Sequence, residues 1–385
     1  MTIKIHTKLV DDLDPEVQAM LIAMYSRDSS SIVTRLPSSI ESKEQHKEKF
    51  KKYFLDYGHK SIGQCGVTTV FFENVSLIAA KCIENHPLFN GQECSTRYID
   101  FTKQPLISDS PATTVIQEAL MKEYTWQLEA VTAKLMKEHP SNTKVQVNSI
   151  KARAFDICRG LLPAGVTTNV AMVASFDTFI NHLGMLLYHP LTEVSKIAVA
   201  TLYKLKQDYP TAIPDMEDLL QEYHYMLGKE QYFYTTNVQE YTKNIAPIQR
   251  ELVPLSESKI ALQGFEGLLD YGSYRDLHRH RNGVINFPKL DTYLGFHPWY
   301  SEHLIHREPL TEVLLSCMGA NPYAIPLGFR VPVKYTCDVN QYNYVLGLRS
   351  GMSSHPTLRQ FVLGEDFVDS FNPVRGKQTF NMENQ

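Results

Sequence analysis

The chain has 385 residues, of which 43% are apolar and 21% charged, with a formal net charge of −4. That composition fits one large or two smaller globular domains. Its small acidic excess argues against a dedicated binder of polymeric nucleic acid, but leaves room for a local arginine cluster that takes a small anion. The six cysteines form no Cys-x-x-Cys pair, so neither a disulfide framework nor a cysteine zinc site is expected. The most apolar long window, 170–189, contains Asp177, Asn181 and His182 and reads as a buried helix, with no membrane span expected. With no signal-peptide core near Met1, a cytoplasmic setting is expected.

In chain order, residues 3–10 alternate and predict a strand. Asp14 and Pro15 form a cap and first helical position. Residues 42–57 predict a charged helix with a solvated lysine face. Residues 66–72 are β-branched and aromatic and predict a strand. Residues 75–84 predict a helix, on the strength of Ala79-Ala80-Lys81. Long helices are predicted at 113–139, stopped by Pro140, and at 150–162, stopped by Pro163. An extended piece then leads into a helix of about four turns, and 191–206 is a further amphipathic helix.

The second half repeats this grammar. A helix is predicted at 310–318, and Ile325-Pro326 stands where Leu162-Pro163 stood. An extended-then-helical stretch runs to Arg349, and a closing helix spans 356–362. The repetition predicts a degenerate duplication, with repeats 1–225 and 226–385. Residues 231–249 read as connecting or edge material, and the tail beyond 372 as a frayed end.

Two stretches carry chemistry. Glu93, Ser95 and Arg97 alternate, so an extended segment would point an acid, a hydroxyl and a guanidinium to one side, a set suited to a phosphate and a sugar or base edge. A surface loop with an internal Glu93–Arg97 pair is the plainer alternative. The second stretch is His278-Arg279-His280-Arg281. Flanking arginines repel a cation, which makes a metal site its weakest reading; an anion site and a solvated face with an Asp276–Arg279 pair stay even. Arg159 and Arg349 each end a helix, where arginine often just answers the helix dipole. Gly58-His59-Lys60-Ser61 is a common helix ending. No Walker loop, GxGxxG, GxSxG or HExxH is present.

With these residues in view, the chain resembles the flavin-dependent thymidylate synthase family, ThyX, whose signature is an RHR triplet followed by Ser, Asn-Glu, Ser, Arg-Tyr. Glu93, Ser95, Arg97 and Tyr98 keep the second part, and His86 is what remains of the triplet. Gly58-His59-Lys60-Ser61 looks like the family's upstream element, with Gln64 in place of its glutamate. Arg159 before Leu161-Leu162-Pro163 looks like its pre-proline arginine, while Leu186 replaces the helix-closing arginine. The second half has the opposite losses: Arg279-His280-Arg281 is intact and Arg349 closes the helix, but Pro322 stands at the pre-proline position.

The resemblance implies an α+β fold, a duplicated ThyX-like domain with an antiparallel sheet flanked by long helices, in a homodimer that imitates the family's tetramer. It implies one composite site in which the first repeat supplies Glu93, Ser95, Thr96, Arg97 and Arg159 to the substrate and the second supplies Asp276, Arg279 and Arg349. Ser95, Arg97 and Arg349 are the implied catalytic residues. His59, Ser61, His86, Asn181, Arg279, His280 and Arg281 are the implied flavin contacts, although Ser175, Asp177, Asp338, Asn340 and Tyr344 stand where the family's other contacts lie and neither copy keeps the flavin-binding arginine there. The implied reaction is C5 methylation of dUMP, or of a related pyrimidine deoxynucleotide monophosphate such as dCMP. It would use 5,10-methylenetetrahydrofolate, FAD and NADPH, and no metal. A catalytically silent nucleotide binder and an interaction scaffold are the alternatives.

Overall fold

A computed structural model of the chain describes residues 5–27, 30–97, 99–140, 143–234, 262–371 and 373. Tyr98, most of the expected connecting stretch 231–249, and the tail beyond Phe371 apart from residue 373 lie outside the described residues. The fold is α+β: the described residues form long helices and two three-stranded sheets. The first sheet has the order β1 (Val67–Ser76), β3 (Thr167–Ser175), β2 (Asn90–Glu93), and the second β4 (Leu262–Asp270), β6 (Arg330–Asp338), β5 (Gly283–Ile285). Each sheet therefore places its third strand in the middle. In the second, β4 runs antiparallel to β6 from Leu262↔Asp338 to Asp270↔Arg330, and β5 is antiparallel on the other side.

The chain divides into two compact units. One comprises Met1–Phe72, Cys82–Gln92 and Val170–Phe233; the other comprises Glu73–Lys81, Glu93–Asn169 and Tyr234–Gln385. The first is organised by aromatic packing. Phe50 and Phe54 lie 5.2 Å apart, Phe50 meets Phe176 at 5.9 Å, and Phe176 meets Tyr209 at 5.0 Å. Phe50 and Phe176 are fully buried, each removing about 1.5–3 kcal/mol worth of apolar surface from water. Ser175 caps the helix Phe176–Leu186 by accepting from Thr178 N, so the end of β3 and the start of that helix are fixed together.

In the second unit the helix Pro111–Glu138 starts at Ser110, which accepts from Thr113 N, with Pro111 at its first position. Two glutamines from this helix are spent on backbone: Gln117 donates to the carbonyls of Ile107 and Tyr323, and Gln127 to Ile305. The two leucine/isoleucine–proline segments pair antiparallel at Pro163↔Pro326, with Ala164 N bonded to Ile325 O and Leu327 N to Leu162 O, both at 2.9 Å. Two short helices lean on this pairing in the same way. Leu77 N and Ile78 N donate to Val166 O and Ala164 O, and Tyr271 N and Gly272 N donate to Phe329 O and Leu327 O.

Three expectations are corrected. Residues 5–10 form no strand: Lys8 has φ 61°, a left-handed conformation that breaks an extended run, and Ile5 is exposed. The charged helix expected at 42–57 is an α-helix over Lys43–Lys51 that widens into a π-helical turn at Lys52–Asp56. The extended segment expected to carry Glu93, Ser95 and Arg97 ends at Glu93. Arg97 lies in a turn whose backbone N donates to Ser95 Oγ at 3.3 Å, because the serine competes for the backbone hydrogen bond.

Candidate active site: an arginine–carboxylate cluster

The local order of the chain decides which side chains meet in the second unit. Strand β2 delivers Glu93. The helix Lys144–Cys158 carries Asp156, and the 3-10 turn Arg159–Leu161 follows it directly. Strand β4 ends at Asp270, whose carboxylate caps the helix Tyr271–Leu277 by accepting from Ser273 N at 2.8 Å. That helix bears Arg275 and Asp276, and the basic turn through Arg281 follows it. The helix Val339–Ser350 ends with Arg349.

Glu93 is buried between two cations. Lys81 Nζ lies 3.1 Å from one carboxylate oxygen and Arg275 Nη2 bonds the other. Arg97 grips Asp156 with two prongs, Nε to Oδ1 at 2.6 Å and Nη2 to Oδ2 at 3.0 Å, while Nη1 donates to Ser353 O at 2.8 Å. Arg159 donates to Asp276 Oδ2 at 3.0 Å, to Ser273 Oγ at 2.6 Å and to the Tyr300 hydroxyl at 3.3 Å. Asp276 reaches further: Arg279 lies 3.6 Å from its other oxygen, and its backbone carbonyl accepts from Arg349 Nη2 at 2.8 Å. Arg349 Nε also donates to His280 Nε2 at 2.8 Å.

The electrostatics follow from this wiring. Burial works to raise the Glu93 and Asp276 pKa values, but the cations around them outweigh it. Arg275, Lys81 and Arg279 hold Glu93 below the usual carboxylate range; Arg159, Arg279, Arg97 and Arg349 hold Asp276 well below it. Burial, then the adjacent Arg349, brings His280 down to about 3, so it stays a neutral acceptor that orients Arg349. Burial also lowers Arg349; Asp276 opposes this, while repulsion from Arg279 and Arg97 adds to it. Six cations (Lys81, Arg97, Arg159, Arg275, Arg279, Arg349) stand around four carboxylates (Glu93, Asp156, Asp270, Asp276). Arg279, with a side chain 38% exposed, is the guanidinium of this set most open to a ligand. Such a set suits a dianion.

The structure thus brings residues from both halves of the sequence together, Glu93 with Arg275 and Arg159 with Asp276, while Arg97 pairs with Asp156 within the first half. Ser95 and Thr96 lie on the short turn beside Arg97, with Thr96 buried. Sequence reasoning missed Lys81, Asp156, Asp270 and Arg275. The available signal was a lysine inside a mostly apolar helix, Leu77–Glu84, where a buried cation needs a partner.

The remaining expected contacts belong to the first unit. His59 and Ser61 are exposed at the start of the helix Lys60–Gly63. His86 packs against His182 with ring centres 5.2 Å apart, and burial lowers its pKa. Asn181 donates to Asp177 O at 2.7 Å and Asp177 Oδ1 at 3.0 Å, and accepts from the Tyr223 hydroxyl at 3.0 Å. Its amide is therefore fully committed. A flavin dinucleotide needs donors for its diphosphate. Arg279 and Arg281, on one turn, fit that need. The helix Phe176–Leu186, with Asp177 in its first turn and Asn181 tied down, does not. Among the described residues no group of histidine, cysteine and carboxylate side chains is arranged to hold a metal. No described helix is long and apolar enough to cross a membrane.

Comparison with known proteins agrees with the sequence resemblance. A UPF0159 protein of Thermoplasma acidophilum is 23% identical over 451 aligned positions, covering 89% of this chain and 90% of that protein. A UPF0159 protein of Chlamydia pneumoniae is 22% identical, covering 84% and 78%. A flavin-dependent thymidylate synthase of Corynebacterium efficiens is 24% identical over 178 positions, covering 44% of this chain and 69% of that enzyme. Residues 8–211 match the family described as thymidylate synthase complementing protein, and the chain belongs to that family.

Proposed function

We propose that the chain binds a pyrimidine deoxynucleoside monophosphate at the arginine cluster around Asp276 and methylates its base at C5, converting dUMP to dTMP or acting on a related nucleotide such as dCMP. One observation carries this reading: guanidinium groups from both halves of the sequence, Arg159, Arg279 and Arg349, converge around Asp276, with the Arg279 side chain 38% exposed, an arrangement suited to a phosphate monoester. Arg279 and Arg349 take the phosphate, with Ser95 as an added hydroxyl donor. Arg97, whose nitrogens stay with Asp156 and Ser353 O, acts through its charge alone and, with Arg349, stabilises negative charge that develops on the base as C5 becomes nucleophilic. Glu93 orients Arg275 and Lys81 and keeps that side of the cluster neutral. The carbon comes from 5,10-methylenetetrahydrofolate as co-substrate. Arg279, His280 and Arg281 would hold FAD, which, with NADPH as reductant, would bring hydride chemistry to the site.

The duplication belongs to the same proposal. The matching strand orders and the Pro163↔Pro326 pairing support two ThyX-like repeats, 1–225 and 226–385, that share one working site. Two chains would then imitate a tetramer. Six free cysteines support a cytoplasmic home. A second reading, a nucleotide binder without flavin, is favoured by Asp177 and the committed Asn181. The purified chain separates the two. Flavin absorbance in the visible, together with dUMP binding by calorimetry, supports the methylase. A colourless chain that binds dUMP and takes up no added FAD supports the binder. A chain that binds neither refutes both.

A further inference from the structure

The family pattern would make Arg159 a ligand contact, yet its surroundings leave it nothing to offer one. Its side chain is 1% exposed. All three guanidinium nitrogens are taken, by Asp276, Ser273 and Tyr300, and Asp270 lies 3.7 Å away as a second counterion. The groups that hold it are held in turn. The Tyr300 hydroxyl donates to Asp270 Oδ2 at 3.0 Å, and Thr357 Oγ1 donates to Asp270 Oδ1. Ser273 Oγ lies 2.6 Å from Thr357 Oγ1, and His355 Nδ1 lies 2.8 Å from the same threonine oxygen. Burial and the nearby Arg159 push the His355 pKa well down, so this frame keeps one protonation state near neutral pH. A buried charge bonded at each of its three nitrogens cannot turn to a ligand without stranding a carboxylate.

One arm of the frame reaches outward. Asp276 faces Arg159 with one oxygen, approaches Arg279 with the other, and accepts from Arg349 at its backbone carbonyl. Building on the nucleotide reading above, we infer that Arg159 is a positioning residue: it fixes Asp276, and through Asp276 sets the spacing of Arg279 and Arg349, without touching the ligand. Supporting groups one step removed from a ligand commonly act this way, by locking the side chains that do the binding.

The test uses the full chain, dUMP as the probe, and two readouts. Calorimetry gives the dissociation constant. Phenylglyoxal labelling followed by mass spectrometry gives the reactivity of each arginine in the ligand-free protein. Arg159 should stay unlabelled with or without dUMP. Arg159→Lys should speed labelling of Arg279 and Arg349 and weaken dUMP binding about tenfold, the size of coupling found between contacting charged groups. In an Asp276→Asn background the same change should add less than about twofold, because the path runs through Asp276. The inference is overturned if Arg159 labels freely and is protected by dUMP. It is equally overturned if Arg159→Lys weakens binding by the same factor in both backgrounds, or leaves Arg279 and Arg349 reactivity unchanged. If Arg159→Lys fails to melt cooperatively, Thr357→Val, which removes the hydroxyl that ties Asp270, replaces it with the same readouts. A wild-type chain that does not bind dUMP refutes the nucleotide reading, and the labelling still decides the role of Arg159.

Discussion

Replacing Arg349 by alanine removes a positive charge that bonds a backbone carbonyl and a neutral histidine rather than a carboxylate. Arg349 has two of its nitrogens committed, to Asp276 O and His280 Nε2, both at 2.8 Å, which fixes its guanidinium in place. A unit charge about 4 Å from a phosphate charge contributes at most about 4 kcal/mol at an effective dielectric of 20. Truncating one partner of such a pair commonly costs about 2–5 kcal/mol. Taking about 3 kcal/mol, Arg349→Ala should weaken dUMP binding about a hundredfold. Arg349→Lys keeps the charge but loses the fork that bonds Asp276 and His280 together, so a loss of about tenfold is expected. Calorimetry at two salt concentrations measures both, and the loss should shrink as salt rises. Arg307→Ala, which removes a guanidinium lying over Trp126 and beside Glu123, is the control and should leave binding unchanged. An Arg349→Ala chain that binds dUMP within about twofold of wild type refutes the charge argument.

Other consequences can be measured directly. Glu93 and Asp276 sit below the usual carboxylate range and His280 near 3, so the cluster keeps its charge between pH 5 and 8. Affinity for dUMP should therefore follow the ligand, holding steady above its second phosphate ionisation at about 6 and falling below it; a fall that sets in at higher pH would count against the site. The buried histidines His182 (about 4), His189 (about 3) and His280 (about 3) take protons in the folded state far less readily than in the unfolded chain. Each should lose about 1.4 kcal/mol of stability per pH unit as pH drops below about 6.5 and towards its folded value. Denaturant melts from pH 7 to 4 would show this, and a flat profile contradicts it. Glu93→Gln removes the buried carboxylate that Lys81 and Arg275 share and should cost about 3–5 kcal/mol by chemical unfolding; a loss under about 1 kcal/mol would mean that water reaches the pair. In the first unit, alanine at Gly91 would drive its Cβ into the carbonyl of Ala171 and so disturb β2, lowering the melting temperature.

Local pattern was enough for the helices and most of the strands. Pro15, Pro111 and Pro356 mark helix starts, and β-branched residues mark β1 and β3, because these preferences act within a few residues. It failed at residues 5–10, where Lys8 takes a left-handed conformation, and at Ser95–Arg97, where a side chain took over a backbone hydrogen bond. The charge arithmetic of the cluster was out of reach. Whether Arg159 meets a ligand or a carboxylate depends on Asp276, which lies far along the chain, and a charge in sequence looks the same whether it is solvated or buried. The sequence by itself determined the family, the repeated strand–helix grammar and the identity of the arginines. Tertiary packing alone decided which of them are cancelled by Glu93, Asp156, Asp270 and Asp276 and which stay open to an anion, since the energy of a charge is set by the neighbours that burial forces upon it.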